Sequence, residues 1–312
     1  MSNISKKTLS RVLVHNDINT DDKTCSEFNI SLETLGRYKR KGRRFGFGEP
    51  PKVVQLPNIL LLDIETAPME IFVWGLYEQR PSPENVIQDW FILSWAAKWL
   101  FSKEIMSDVV TPEEAVACDD KRICQSMWNL LETAQIVIAH NGKRFDLRKL
   151  NSRFMLNKML PPSSFQVIDT LKESRKMAAH SSHRLDYLGK LFKNKGKIKT
   201  DYALWKRCKV GDPESLLYMD KYCKEDVLLL EEVYLVMRPW IKSHPNISLY
   251  IDSNEPVCPA CGSKKLHTVE DYVTMASVFP GYRCQKCGHI SRGRATQLSL
   301  KKRKAMLVSA AK

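Results

Sequence analysis

NILLLDIETAP, residues 58 to 68, is the stretch whose reading decides the fold. The apolar run from Ile59 to Leu62 reads as a buried strand, and it ends in Asp63 and Glu65. Residues i and i+2 of a strand point to the same face, so two carboxylates project side by side where the strand ends. Like charges so close repel, and either a raised pKa or a bound cation must neutralise them. Hard oxygen ligands of this kind suit Mg²⁺ or Mn²⁺.

Two further segments supply matching groups. In VIAHNGKRFDLRKL a buried strand ends at His140 and Asn141, Gly142 turns the chain, and Asp146 falls near the start of a helix. Ligands gather where strand ends meet helix starts in such a sheet. In the long helical stretch SLLYMDKYCKEDVLLLEEVYLVM, Tyr222 and Asp226 are four residues apart and share one helical face. A hydroxyl and a carboxylate then reach one pocket, and Asp226 completes a cage of four carboxylates.

The segments between these motifs set the class. IFVWG and WFILSWAAKWL read as strands, KRICQSMWNLLE as an amphipathic helix, QIVIAH as a short buried strand, KRFDLRKLNSRFML as a helix and FQVID as a strand. Antiparallel strands followed by strand–helix alternation predict an α/β domain over residues 53–250, a mixed sheet flanked by helices.

The C-terminal part carries a different chemistry. Cys258-x-x-Cys261 and Cys284-x-x-Cys287 stand 22 residues apart, each followed by glycine. Such a pair of knuckles aims four thiolates at one ion, the closed tetrahedral arrangement of structural Zn²⁺. The spacing slightly exceeds the usual range, but the hairpin DYVTMASVFPGYR fits between the pairs. His267 and His289 are not expected to be ligands. Residues 251–294 are therefore read as a zinc ribbon whose metal supplies much of its folding energy. Residues 295–312 form a basic tail. The nine cysteines are an odd count, and the five outside the knuckles are scattered, which excludes a disulfide framework and fits reduced thiols.

Residues 1–48 carry short helical patterns that resemble a helix-turn-helix. Asp21 or Asp22 is expected to cap one helix with Cys25 and Phe28 inward, and Ser31 a second with Leu32 and Leu35 inward. The second ends in the basic run Gly36–Arg44, where six of nine residues are Lys or Arg. Arg40, Arg43 and Arg44 are the candidate nucleic-acid contacts there, either to phosphates or to base edges; a plain packing element is the other reading.

The net charge of +14 and pI near 9.3 argue for a polyanionic partner. No apolar run approaches the roughly 20 residues of a membrane span, and the N-terminus lacks a signal-peptide stretch. A soluble protein of the cytoplasm that handles nucleic acid, with no membrane partner, is the expectation.

Taken in order, Asp63 and Glu65 (DxE), Asp146 (HNG-xx-FD), and Tyr222 and Asp226 (Tyr-x-x-x-Asp) resemble the three motifs of the DEDD 3′→5′ exonuclease superfamily. Lys221 stands where the sister branch has histidine, which places the resemblance in the tyrosine subgroup. ILLLDIETAP, WGLY, LSWAAKWL, HNGKRFD and SHRLDYL look more narrowly like a phage and bacterial group that ends in a zinc ribbon. The resemblance covers roughly residues 53–240 and implies a ribonuclease-H-like core. It also implies two-metal hydrolysis of phosphodiester bonds, with two Mg²⁺ or Mn²⁺ ions about 3.5–4 Å apart. Asp63 would bridge both ions, Glu65 and Asp226 would hold the one that activates water, Asp146 would bind the second, and Tyr222 would orient the attacking water. The product would be nucleoside 5′-monophosphates released from a 3′ end, DNA being favoured over RNA.

Neighbouring residues have weaker assignments. Asp169 is expected to cap the helix TLKESRK. Arg144 and Phe145 could stack on or bind the terminal nucleotide, Phe145 being otherwise a core residue. His183, Arg184 and the run from Lys195 to Lys199 either touch phosphates or form a solvated face. The chain carries no polymerase domain, so a replication or repair role would act in trans. A structure-selective endonuclease and a non-catalytic DNA-binding adaptor are the alternatives.

Overall fold

A computed structural model describes residues 6–44 and 56–310, and of residues 6, 7, 10, 14, 17, 18 and 41–44 the backbone alone. The chain divides after Gln55 into two units. The first holds α1 (Lys6–Ile18), α2 (Asp21–Phe28) and α3 (Leu32–Arg44). Leu9, Val12, Leu13 and Leu35 are buried among them.

The helical reading of this segment holds with three corrections. A helix, α1, precedes the expected pair. Thr20, not Asp21 or Asp22, caps α2 by accepting from Lys23 N, because its side chain stands one residue outside the helix where the free N–H groups point. Leu32 is exposed rather than inward, since it occupies the first turn of α3 while Leu35 faces α1 and α2. Ser31 accepts from Thr34 N at 3.1 Å, the cap expected of it. Arg40 is exposed; the side chains of Arg43 and Arg44 lie outside those described.

The second unit begins with β1 (Ile59–Thr66), followed by β2 (Glu70–Ile71), β3 (Val86–Gln88), β4 (Ile92–Trp99), β5 (Met106–Val109), α4 (Pro112–Ala117), α5 (Lys121–Thr133), β6 (Ile136–Ala139), α6 (Asp146–Leu156), β7 (Gln166–Asp169), α7 (Thr170–Met177), α8 (Leu185–Lys193), α9 (Tyr202–Lys209) and α10 (Pro213–Met237). The main sheet has the order β5-β4-β1-β6-β7. β1 pairs antiparallel with β4 and parallel with β6, which pairs parallel with β7. This is the mixed α/β sheet flanked by helices that the pattern predicts, with five strands.

β1 is central, and its alternation divides the core. Leu60, Leu62 and Ile64 pack with α5 and α6 residues such as Met127, Leu131 and Leu150. Ile59 and Leu61 pack on the other face with Leu188 of α8 and Val227 and Leu230 of α10. With helices on both faces, the strand interior is apolar throughout. Of IFVWG only Ile71, the second residue of β2, is in a strand; beyond Phe72 the segment leaves β3 and Gly75 interrupts it, so no ladder continues.

Beyond α10, β8 (Leu266–Val273), β9 (Val278–Cys284) and β10 (Ile290–Arg292) form an antiparallel sheet of three strands, and α11 (Leu300–Ala305) follows. The expected hairpin between the CxxC pairs is β8–β9. No helix among the described residues is long and apolar enough to cross a membrane.

One buried ion pair secures the sheet to its helices. Arg153 of α6 donates to Asp120 at 2.6 and 2.8 Å, and Asp120 also accepts from Ile92 N of β4 at 2.9 Å. The Asp120 side chain is wholly buried. Removing the cation leaves a buried charge unpaired, so Arg153→Met should destabilise the protein by about 3–5 kcal/mol. A urea midpoint unchanged from wild type would contradict this.

Candidate functional site: a carboxylate cluster and a four-cysteine cluster

Asp63 and Glu65 leave β1 opposite Ala96 and Ser94 of β4. These small partners leave room above the sheet on the side where the acids project. Asp226 reaches the same place from the middle of α10. One oxygen from each of Asp63, Glu65 and Asp226 lies within 4.8 Å of the others. Asp226 and Tyr222, one helical turn apart, are both buried.

Asp146 lies beside this trio rather than in it. At the start of α6 it accepts from Ile64 N at 3.3 Å, the main-chain group between the two acids of β1. Its approach depends on a tight turn after β6. Asn141 has φ +71°, and a Cβ on Gly142 would stand 2.4 Å from the Cβ of Ala139, so only glycine fits. Asp169 caps α7 through Lys172 N at 3.1 Å, as expected. It also accepts from Asn141 N at 3.1 Å and Lys143 N at 3.2 Å, which clamps the turn that delivers Asp146.

Burial and mutual repulsion set the electrostatics. Burial, then the charges of Asp146, Asp226 and Glu65, push Asp63 well above the usual carboxylate range. Burial is the largest cause at the others too: it raises Glu65 and Asp146 to about 7 each and also raises Asp226. Such a cluster is short of positive charge. Asp226 Oδ1 is buried without a hydrogen-bond partner. A buried, unpartnered oxygen on a carboxylate grouped with two other acids fits a hard divalent cation.

Lys197 supplies part of the missing charge. Its ammonium donates to Asp226 Oδ2 at 2.5 Å and to the Tyr222 hydroxyl at 3.3 Å. Burial would lower its pKa, but Asp63 and Asp226 outweigh that and hold it above its ordinary value. In the sequence it is one lysine in a basic run, with no pattern to separate it from Lys195, which pairs with Glu225 at 3.2 Å. Trp205 was also unmarked. Its indole donates to Glu65 Oε2 at 3.1 Å and meets the Tyr222 ring edge-on at 6.0 Å.

The remaining candidates divide. Arg144 and Phe145 are exposed at the start of α6, so Phe145 is not a core residue; the sharp turn places it outside the packed face. His183 is half-buried, and its Nδ1 shares a hydrogen bond of 2.7 Å with Ser174 of α7.

The cysteines form a second cluster. Cys258 and Cys287 sulfurs are 3.6 Å apart, as are those of Cys261 and Cys284, and all four lie within 4.8 Å of one another. Four converging thiols suit a soft tetrahedral metal. His289 bonds Pro239 O at 3.0 Å instead, which ties a knuckle to the end of α10.

The model of the RNase_H superfamily matches residues 60–238, which holds every carboxylate above and Tyr222. No curated protein matches the chain. Among solved structures, the family B DNA polymerase of the hyperthermophilic archaeon Pyrobaculum calidifontis is similar at 13% identity and a TM-score of 0.43. The similarity covers 66% of this chain and 27% of the polymerase chain, so the chain spans about a quarter of its length.

The raised carboxyls have a thermodynamic consequence. A folded-state pKa above the unfolded one means stability present at low pH and lost as pH rises through the folded value. Without divalent cations, thermal stability should therefore fall between about pH 4.5 and about pH 7 at Glu65, with Asp63 and Asp146 adding to it. Mn²⁺ should restore stability at the upper end of that window. A flat profile that Mn²⁺ does not alter would contradict the electrostatic account.

Proposed function

The chain belongs to the RNase_H superfamily, and from that premise we propose that it is a metal-dependent 3′→5′ exonuclease of nucleic acid, with DNA as its polymer. The observation that carries the reading is the convergence of Asp63, Glu65 and Asp226 within 4.8 Å, with Tyr222 on the same face of α10. Asp63, Glu65 and Asp226 would hold the cations, and Asp146 would support the second of them. Bound Mg²⁺ or Mn²⁺ would polarise the phosphate and lower the pKa of water.

The chain's own groups do the rest. Tyr222 presents its hydroxyl beside Asp226 and fixes the attacking water. Burial, then the Asp226 charge, holds that hydroxyl well above its ordinary pKa, so it stays a neutral donor. Lys197 neutralises the cluster while no cation is bound and faces the phosphate when one is. The tyrosine at this position favours 3′ ends over internal cuts. Arg144 and Phe145, exposed beside Asp146, meet the terminal nucleotide, and His183 lies further along the strand. Arg40, Arg43 and Arg44, the four-cysteine ribbon and the tail after residue 294 grip the polymer through phosphate contacts. Zn²⁺ is the metal of Cys258, Cys261, Cys284 and Cys287.

The deciding experiment is a gel assay with 5′-labelled single-stranded DNA, single-stranded RNA, blunt duplex and 3′-mismatched duplex, in Mg²⁺ or Mn²⁺ against EDTA. The expected result is a metal-dependent ladder shortening from the 3′ end, absent with Asp63→Ala. Discrete internal cuts would replace the reading with an endonuclease. Binding without cleavage by wild type would replace it with a DNA-binding adaptor.

Two variants refine the roles. Tyr222→Phe should lower kcat about 10²-fold with little change in KM, as loss of a group acting only in the transition state does; unchanged kcat would remove Tyr222 from the reaction. Cys284→Ser should abolish binding of one Zn²⁺ per chain, read by atomic absorption, and lower thermal stability. Full metal content in that variant would overturn the ribbon assignment.

A further inference from the structure

Residues 69–82 expose more apolar surface than any packing role explains. Trp74 is 99% exposed, Leu76 90%, Tyr77 85% and Phe72 69%. Contiguous exposed rings of this size mark an interaction site rather than an ordinary surface. The segment is nevertheless anchored at its root. β2 pairs with β3, and Phe72 N donates to Asn85 O at 2.9 Å across the neck. Lys209, itself buried, pairs with Glu70 at 2.6 Å. The rings thus sit on an arm with a fixed base.

The base of the arm follows directly on the strand that carries Asp63 and Glu65. β1 ends at Thr66, and Glu70 lies five residues beyond Glu65. Pro68 and Met69 line a cavity of about 490 Å³ with Trp90, Lys149, Tyr202 and Trp205. The Lys149 ammonium stands 3.4 Å over the Trp90 ring, and Trp205 bonds Glu65. Trp205 thus joins the carboxylates to this cleft, and Met69, at the root of the arm, is part of the cleft wall.

We infer that this arm is a stacking platform for the unpaired bases of a single strand whose end occupies the carboxylate site. The inference rests on the nuclease reading and deepens it by naming the substrate form. Every base has a π-face, so rings in series hold a strand whatever its sequence. A duplex hides those faces, so the arm selects unpaired strand. Lys149 in the cleft supplies a phosphate attraction that rings lack. A protein partner is the competing occupant, and continuity with the cleft favours the polynucleotide.

The test is anisotropy of a labelled oligothymidylate and of a blunt duplex on the full chain, with Ca²⁺ in place of Mg²⁺. Each stacked base contributes on the order of 1–3 kcal/mol, so the Trp74→Ala, Tyr77→Ala double variant should weaken single-strand binding about tenfold or more. Duplex affinity and the salt slope should not change, because no cation is removed. Trp74→Phe should retain most of the single-strand affinity, and thermal melts should match throughout. Equal single-strand binding by the double variant would overturn the inference. So would parallel loss of duplex and single-strand binding, or a wild-type self-association that the double variant lacks while binding stays intact. Hydrolysis by wild type, measured alongside, separates the two claims. A wild type that cleaves while the double variant binds equally sinks the arm alone; a wild type that does not cleave sinks the nuclease reading itself.

Discussion

The rest of the structure is arranged around one repulsion: three carboxylates forced together at the end of the central strand. β1 is buried on both faces by helices, which fixes where Asp63 and Glu65 emerge. α10 is held against that strand along its length and brings Asp226 to them. Fold energy thus imposes a charge arrangement that the isolated groups would avoid. The protein answers with burial that favours the protonated forms, with the Lys197 ammonium on Asp226, and with an orphaned oxygen that suits a cation.

The supporting shell explains why the cluster is ordered. Asp169 clamps the turn at Asn141–Lys143 while capping α7, and that turn sets Asp146 against Ile64 N. Gly142 permits the approach because no Cβ fits there. Trp205 fixes one oxygen of Glu65. Asp146, Glu65 and Asp226 therefore each have a group that sets their orientation before any ligand arrives. Two residues past the end of α10, Pro239 O bonds His289 beside the second cysteine pair, which links the ribbon to the chain that leaves the helix carrying Tyr222 and Asp226. A metal among the cysteines would stiffen both.

Much of this was legible in the chain because local periodicity carries it. The two-residue spacing of Asp63 and Glu65 fixes one face of a strand, and the four-residue spacing of Tyr222 and Asp226 fixes one face of a helix. The CxxC pairs state their own convergence. What stayed hidden depends on tertiary return. Lys197 and Trp205 follow α8, in segments whose composition gives no sign that they fold back over β1 and α10. Asp146 reads as a fourth carboxylate of the cage, but its contact with the main chain of β1 is one that no sequence spacing foretells. Thr20 outcompetes Asp21 as a cap by a single residue, a difference that side-chain geometry settles and composition does not. IFVWG reads as a strand because its residues favour strands, yet it has no partner past Phe72.

The central claim is that Asp63, Glu65 and Asp226 form a divalent-cation site. Its most direct measurement is anomalous diffraction from crystals soaked in Mn²⁺. The account predicts manganese bound at these three carboxylates, with the Lys197 ammonium displaced from Asp226. Manganese absent there, or bound only elsewhere, with Lys197 still on Asp226, would contradict it.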